Sequence, residues 1–246
     1  MGNTYFQFKQ FTIHQDQCSM KVCTDACLFG AYVAARGPGA SLNADPPAAL
    51  HCLDIGTGTG LLSLLLAQEW TTTKIDAVEI DPAAAKQAGE NFAASPWHEK
   101  LTLYQTGILD FAAPQLYDCI ISNPPFFEGD LKSDDPDKNT AKHDTALTLH
   151  QLFGSITRLL CKEGSCWLLL PFHRGETAKA LALDRNLLLH TEVKIRQSPR
   201  HNYFRTILGF SYTARALQEE NITIREEDGN YSERFTRLLK AYYWRL

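Results

Sequence analysis

The sequence predicts an α/β fold: a doubly wound, mostly parallel, seven-stranded sheet with an N-terminal hairpin and helix extension and a short C-terminal helix. Three observations predict it. Between residues 51 and 185, short β-type apolar runs alternate with helical runs over short loops, which calls for a parallel sheet covered on both faces. A glycine-rich turn directly follows the first of these runs. Two last β-type runs, 187–195 and 204–214, succeed each other with no helix between them, so they close the sheet as an antiparallel pair.

Residues 4–14 alternate apolar and polar and read as a strand or hairpin. A helix over 24–36 is stopped by Gly37-Pro38-Gly39, and 40–48 is a small-residue linker. Strands are expected at 51–55, 74–80, 101–105, 117–122 and 165–171, with helices at 60–70, 82–94, 149–161 and 176–185. Pro82 stands at the first turn of its helix, where its missing N–H is harmless. Residues 215–230 are polar and read as a linker. Ser232 caps a final helix whose stripe of Phe235, Leu238, Leu239, Tyr242 and Tyr243 docks on the body, because so short a helix is marginal alone. The expected organisation is an extension over 1–48, a catalytic domain over 49–214, and a linker and helix over 215–246.

Hydrophobic residues at 44% and charged residues at 21% suit an ordinary globular chain. A net charge of −4 argues against broad, nonspecific nucleic-acid binding and leaves room for a compact contact through a local basic patch. The N-terminus lacks a leader pattern, and no apolar run is long enough to span a bilayer. Seven cysteines, an odd number, then suggest reduced thiols in a cytoplasm. Cys18, Cys23 and Cys27 lie near His14, but no C-x-x-C pair is present, so buried thiols are expected rather than a zinc site.

Residues 52–60 read Cys-Leu-Asp-Ile-Gly-Thr-Gly-Thr-Gly, a strand entering a glycine turn before a helix. Gly56 and Gly58 let backbone pass close to a ligand, and Gly60 reads as a packing residue. The spacing is G-x-G-x-G rather than G-x-G-x-x-G. Asp54 would repel a pyrophosphate but can hold an ammonium or hydroxyl, which favours the amino-acid end of S-adenosylmethionine over a dinucleotide. Glu79, ending the next strand, can accept from both ribose hydroxyls, and Ile80 can pack on the adenine. The loop 105–110 should lie against that adenine, held either by Asp110 or by backbone at Gly107 and Ile108.

Residues 118–127 read Asp-Cys-Ile-Ile-Ser-Asn-Pro-Pro-Phe-Phe, after a buried strand. Two prolines stiffen the turn and remove two donors, so it presents carbonyls and one amide side chain. An exocyclic or amide nitrogen is a poor nucleophile because its lone pair is delocalised. The Asn123 oxygen and the Pro124 carbonyl can accept its two hydrogens, and Phe126 offers a stacking face.

Together these motifs resemble the Rossmann-like, seven-strand amino-methyltransferases. The N-terminal segment narrows the resemblance: Phe6-x-Phe8-Lys9-Gln10-Phe11-x-Ile13, then Cys18-x-Met20-Lys21-Val22-x-Thr24-Asp25-Ala26-x-Leu28-x-Gly30-Ala31. With Asp76-Ala77-Val78-Glu79, Ser95-Pro96-Trp97 and Ile121-Ser122-Asn123-Pro124-Pro125, it is similar to the bacterial tRNA adenine-N6 methyltransferase family that modifies valine tRNA. The resemblance runs from residue 5 to about 212. It implies methylation of the adenosine just 3′ of the anticodon, with tRNA as partner. It also implies that Asn123, Pro124 and Phe126 hold the base, and that Asp54, Gly56, Gly58 and Glu79 hold the cofactor with Thr24 near it. The family often has Tyr where Phe126 and Phe127 stand, and an acid where Gly107 stands.

The polar loop 128–146 reads as a lid or a disordered excursion. Arg196, Arg200, His201 and Arg205 flank a turn and can meet phosphate, with Lys9 and Lys142 as further RNA contacts. A protein glutamine-N5 methyltransferase, a guanine-N2 rRNA methyltransferase and a noncatalytic RNA-binding module are the competing readings.

Overall fold

A computed structural model describes residues 3–18, 20–37, 50–124 and 147–246. Its centre is an eight-stranded sheet. Four strands, β3 (His51–Ile55), β4 (Lys74–Glu79), β5 (Leu101–Gln105) and β6 (Tyr117–Ser122), run parallel with β7 (Leu160–Pro171). Next come β8 (Leu188–Arg196) and β9 (Tyr203–Ser211), with β9 antiparallel to both β7 and β8. The eighth strand is β10 (Gln218–Thr223), and the order is β10-β8-β9-β7-β6-β3-β4-β5. The hairpin is β1 (Tyr5–Gln7) with β2 (Thr12–His14).

Helices cover both faces, each burying its apolar side because the strands between them are apolar throughout. One core joins α1 (Thr24–Ala34), α2 (Leu61–Glu69), α3 (Pro82–Ala93) and α6 (Glu233–Leu239) to side chains such as Cys52, Ile75, Ile121 and Leu169. The other joins α4 (Leu149–Leu159) and α5 (Gly175–Leu183) to Leu53, Ile120, Leu168 and Leu208. Adjacent strand residues fall in opposite cores, as the twofold alternation of a strand requires.

The structure differs from the sequence expectation in two places. Residues 218–223 are an edge strand rather than part of a linker. Only Ile222 of this strand reaches the core, and its polarity has a local cause. Glu220 is held between Arg36 (2.6 Å) and Arg234 (2.5 Å) and accepts from the Tyr32 hydroxyl (2.9 Å). The helix expected over 149–161 gives way to strand at Leu160, which pairs with Tyr117, so β7 starts five residues earlier than expected.

Ser232 caps α6 by accepting from Phe235 N. The end of the chain then folds onto the hairpin. Lys9 N donates to the Tyr242 carbonyl (2.8 Å), and Trp244 Nε1 donates to the Phe8 carbonyl (3.1 Å).

Candidate active site at the carboxyl edge of the sheet

β3 ends at Ile55, and the chain enters a turn in which Gly56, Gly58 and Gly60 all have positive φ (72°, 56° and 83°). The left-handed region is costly for residues with a Cβ, which is why glycine recurs here. A Cβ at Gly56 or Gly58 would meet nothing within 4 Å, so both face open space. A Cβ at Gly60 would lie 2.5 Å from Phe92 Cε1, so this third glycine serves packing.

Beneath the turn Asp54 is fully buried. Its Oδ2 accepts from Thr57 Oγ1 (2.6 Å) and Ser63 Oγ (2.8 Å), while its Oδ1 is buried with no partner. Burial pushes this carboxyl up to about 6, the two hydroxyls pull it back, and the Glu79 charge adds to the rise. An unpartnered buried acceptor is costly unless a donor arrives.

Glu79 ends β4 and bonds the backbone on both sides of it. Its Oε2 accepts from Gly58 N (2.8 Å) and its Oε1 from Asp81 N (2.9 Å). A carboxylate has about four acceptor positions, so two are left for a pair of hydroxyls. Ile80, next in sequence, is 63% exposed.

The loop after β5 is drawn in by Thr106 N, which donates to the Glu79 carbonyl (2.9 Å). Ile108 is buried, and its carbonyl accepts from Arg158 Nη2 (2.9 Å) while Arg158 Nη1 reaches Phe111 O (3.0 Å). Asp110 is exposed, and its N–H closes the turn onto the Gly107 carbonyl (3.1 Å). A Cβ at Gly107 would stand 3.3 Å from Ile80 and 3.6 Å from Asp110 Oδ2. The Asp110 carboxylate therefore occupies the neighbourhood that a side chain at 107 would fill.

β6 delivers Asn123, half-buried, with Pro124 buried behind it. Ile55 and Ser122 are register partners, and Ser122 Oγ donates to the Ile55 carbonyl (2.7 Å). The glycine turn and Asn123 thus leave the sheet side by side, at the carboxyl edge where doubly wound sheets bind ligands. Phe126, Phe127, Lys142 and the loop 128–146 lie outside the described residues.

A family model described as methyltransferase small domain matches residues 20–181. A tRNA1(Val) (adenine(37)-N6)-methyltransferase of Dyadobacter fermentans is 42% identical over 245 residues, covering 98% of each chain. Another of that name, from Bacteroides thetaiotaomicron, is 35% identical over the whole of both chains.

The chain belongs to this methyltransferase family.

The fold agrees. A predicted O-methyltransferase from Agrobacterium tumefaciens, 12% identical, superposes with a TM-score of 0.65 over 88% of this chain and 96% of its own. That likeness is one of fold alone.

The remaining expected residues are divided between the two edges. Thr24 opens α1 and is half-buried. Arg205, in β9 opposite the last residue of β7, stands at the carboxyl edge, where its Nε donates to Asp25 Oδ2 (2.7 Å). Arg200 lies in the β8–β9 turn at the same edge, well exposed and 3.9 Å from Glu227. Lys9 does not join them. Its Nζ donates to the Lys240 carbonyl (2.7 Å), at a hairpin tip whose Phe11 packs against Trp97, which precedes β5 at the amino edge.

Sequence reasoning missed Thr57, Ser63, Ser122 and Arg158. Hydroxyl residues recur everywhere, so no spacing marks the first three. Arg158 does leave a trace, as the single Lys or Arg of an amphipathic helix. The thiols of Cys18 and Cys27 are pushed up, mainly by burial, to about 11 and about 12.

Proposed function

We propose that the protein transfers a methyl group from S-adenosylmethionine to the N6 amine of adenosine 37, just 3′ of the anticodon, in valine tRNA. The observation that carries this reading is the Ser122–Ile55 hydrogen bond, which starts the Asn-Pro-Pro segment beside the glycine turn. The name shared by full-length relatives supports the choice of tRNA and nucleotide. No helix of the described residues is long and apolar enough to cross a membrane, and we assign the activity to the cytoplasm.

When bound, S-adenosylmethionine supplies an electrophilic methyl group on a sulfonium. The chain's own residues do the rest. Asp54 Oδ1, buried and without a partner, accepts from the amino-acid end. Glu79 accepts the ribose hydroxyls at its two remaining positions, while Gly56 and Gly58 keep the floor clear. Ile80 and Asp110, both beside Gly107, would flank the adenine. At the other side the Asn123 side-chain oxygen and the Pro124 carbonyl accept the two amine hydrogens, which draws the nitrogen lone pair out of conjugation and aims it. Phe126 stacks on the target base. Catalysis of this kind rests on positioning and on fixed dipoles rather than on a covalent step.

The test is single-turnover methylation of the valine tRNA anticodon stem-loop with labelled methyl donor, followed by digestion and identification of the product. N6-methyladenosine at the expected position is the predicted result. Asn123→Ala should lower turnover by about 10²–10³-fold, with cofactor affinity kept, and Asn123→Asp should be milder. Label in glutamine or in guanine, or a protein that binds RNA without transferring methyl, would overturn the reading.

A further inference from the structure

β6 and β7 are parallel, and Ser122 lies level with Leu168. The chain leaves β6 at that level, whereas β7 continues three residues further, from Leu168 to Pro171. β9 and β8 rise with it, since Pro171 pairs with Arg205 and Ile195 pairs with Arg205 from the other side. At about 3.3 Å per residue this is a wall about 10 Å high beside Asn123, one strand spacing away.

The top of the wall is aromatic and cationic. Phe172 follows Pro171 in a short 3-10 turn and remains 37% exposed. Its ring is 5.4 Å from that of Tyr203, tilted by 41°. The Arg196 guanidinium lies 5.9 Å from the centre of the Tyr203 ring. Phe204, next along β9, is exposed to the same degree. His173, next to Phe172, and Arg200 and His201, in the turn before Tyr203, are exposed, and Arg174 is half-exposed. Among the described residues, Asp25 pairs with Arg205, and Glu227 lies 3.9 Å from Arg200. Cations around exposed rings favour a ligand that is both flat and anionic, which describes an unpaired nucleotide.

We propose that Phe172 and Tyr203, backed by Arg196, form a stacking platform for the unpaired base next to the target adenosine. The inference rests on the tRNA reading above and adds to it a second contact that fixes which loop nucleotide reaches Asn123. The base beside the target stacks on the wall, and the target itself is left to enter between the wall and the glycine turn. Arg200 and His201 meet the phosphates that join the two. Stacking serves this purpose without demanding a particular base, since every base has a π-face.

The test uses valine tRNA anticodon stem-loops carrying 2-aminopurine, a fluorescent adenine analogue, on either side of the target. Binding to the native protein should quench the probe on one side. Phe172→Ala should abolish that quenching and raise the KM for the stem-loop about tenfold, as expected for one lost base stack. Phe172→Trp should restore both. Cofactor affinity and melting temperature, measured on the same samples, show that the variants are folded. If the native protein methylates the stem-loop while Phe172→Ala changes neither KM nor quenching, the platform is wrong and the tRNA reading stands. If no stem-loop is methylated by the native protein, the tRNA reading falls and takes the platform with it.

Discussion

Ser122 Oγ donates to the Ile55 carbonyl oxygen at 2.7 Å, joining the last residue of β6 to the last residue of β3. Both groups are buried, so Ser122→Ala leaves the carbonyl without this donor and should cost about 1–3 kcal/mol of stability. The larger effect should fall on turnover, because Asn123 loses its fixed distance from the cofactor turn. Urea unfolding and single-turnover rates on one preparation check this. Turnover that falls no more than cofactor affinity would show the bond to be structural only.

With Asp54 in its proposed role, binding of S-adenosylmethionine should depend on pH. Burial, first among its causes, lifts the folded carboxyl to about 6, against about 3.9 in an unfolded chain. A cationic ammonium favours the ionised form, so affinity should fall as pH drops below about 6, by up to about tenfold per unit. Asp54→Asn should bind weakly with a flat profile. For stability the sign is opposite. The folded state holds its proton longer than the unfolded one, so stability is full below about pH 4 and is lost as pH rises to about 6. Asp54→Asn should therefore be more stable than the native protein above pH 6, a result read from urea midpoints across that range.

Glu79 holds the backbone at Gly58 and Asp81 and is proposed to accept the ribose hydroxyls, and two substitutions probe it. Glu79→Ala removes the acceptors for the ribose along with the anchors of Gly58 N and Asp81 N, and should cost about 1.5–3 kcal/mol of cofactor affinity. Glu79→Gln keeps one acceptor oxygen and should fall between. Calorimetric titration decides, and unchanged affinity in folded Glu79→Ala removes the ribose assignment.

Arg200 and Arg205 should behave differently although they are only five positions apart. The Arg200–Glu227 contact is long and exposed on both sides, and such pairs contribute little. Arg200→Ala should therefore leave stability intact, weaken RNA binding, and make its salt dependence shallower by about one unit. Arg205→Ala strands the buried Asp25 carboxylate, which is held below the usual carboxylate range despite burial through its bonds to Cys23 and Arg205. That should cost about 1–3 kcal/mol of stability. Anisotropy titrations at several salt concentrations and thermal melts distinguish the two.

The strands β3 to β6 were legible because they are apolar, short and bounded by turn residues, and so was the cradle, because its glycines must stand where φ is positive. β10 was not legible. A strand that buries one isoleucine and ties its glutamate to arginines 184 and 14 positions away looks like a linker until those arginines are in place. The same holds inside the site. Asp54 and Glu79 announce themselves by their positions at strand ends, while Thr57, Ser63 and Arg158 depend on the folded path of the chain. Lys9 shows the converse, a cation whose partner at Lys240 is invisible from its own neighbourhood in sequence.

The contact between the hairpin and residues 240–244 has a consequence for the birth of the protein. Lys9 and Lys240 are separated by 231 positions. At roughly 5–20 residues per second of translation, the hairpin is made some ten to fifty seconds before the segment that covers it. During that interval Phe6 and Phe8 lack Tyr243, and the Phe8 carbonyl lacks Trp244. Strands made early are thus among the last to reach their final packing, and chaperones that bind exposed aromatic segments would find them there.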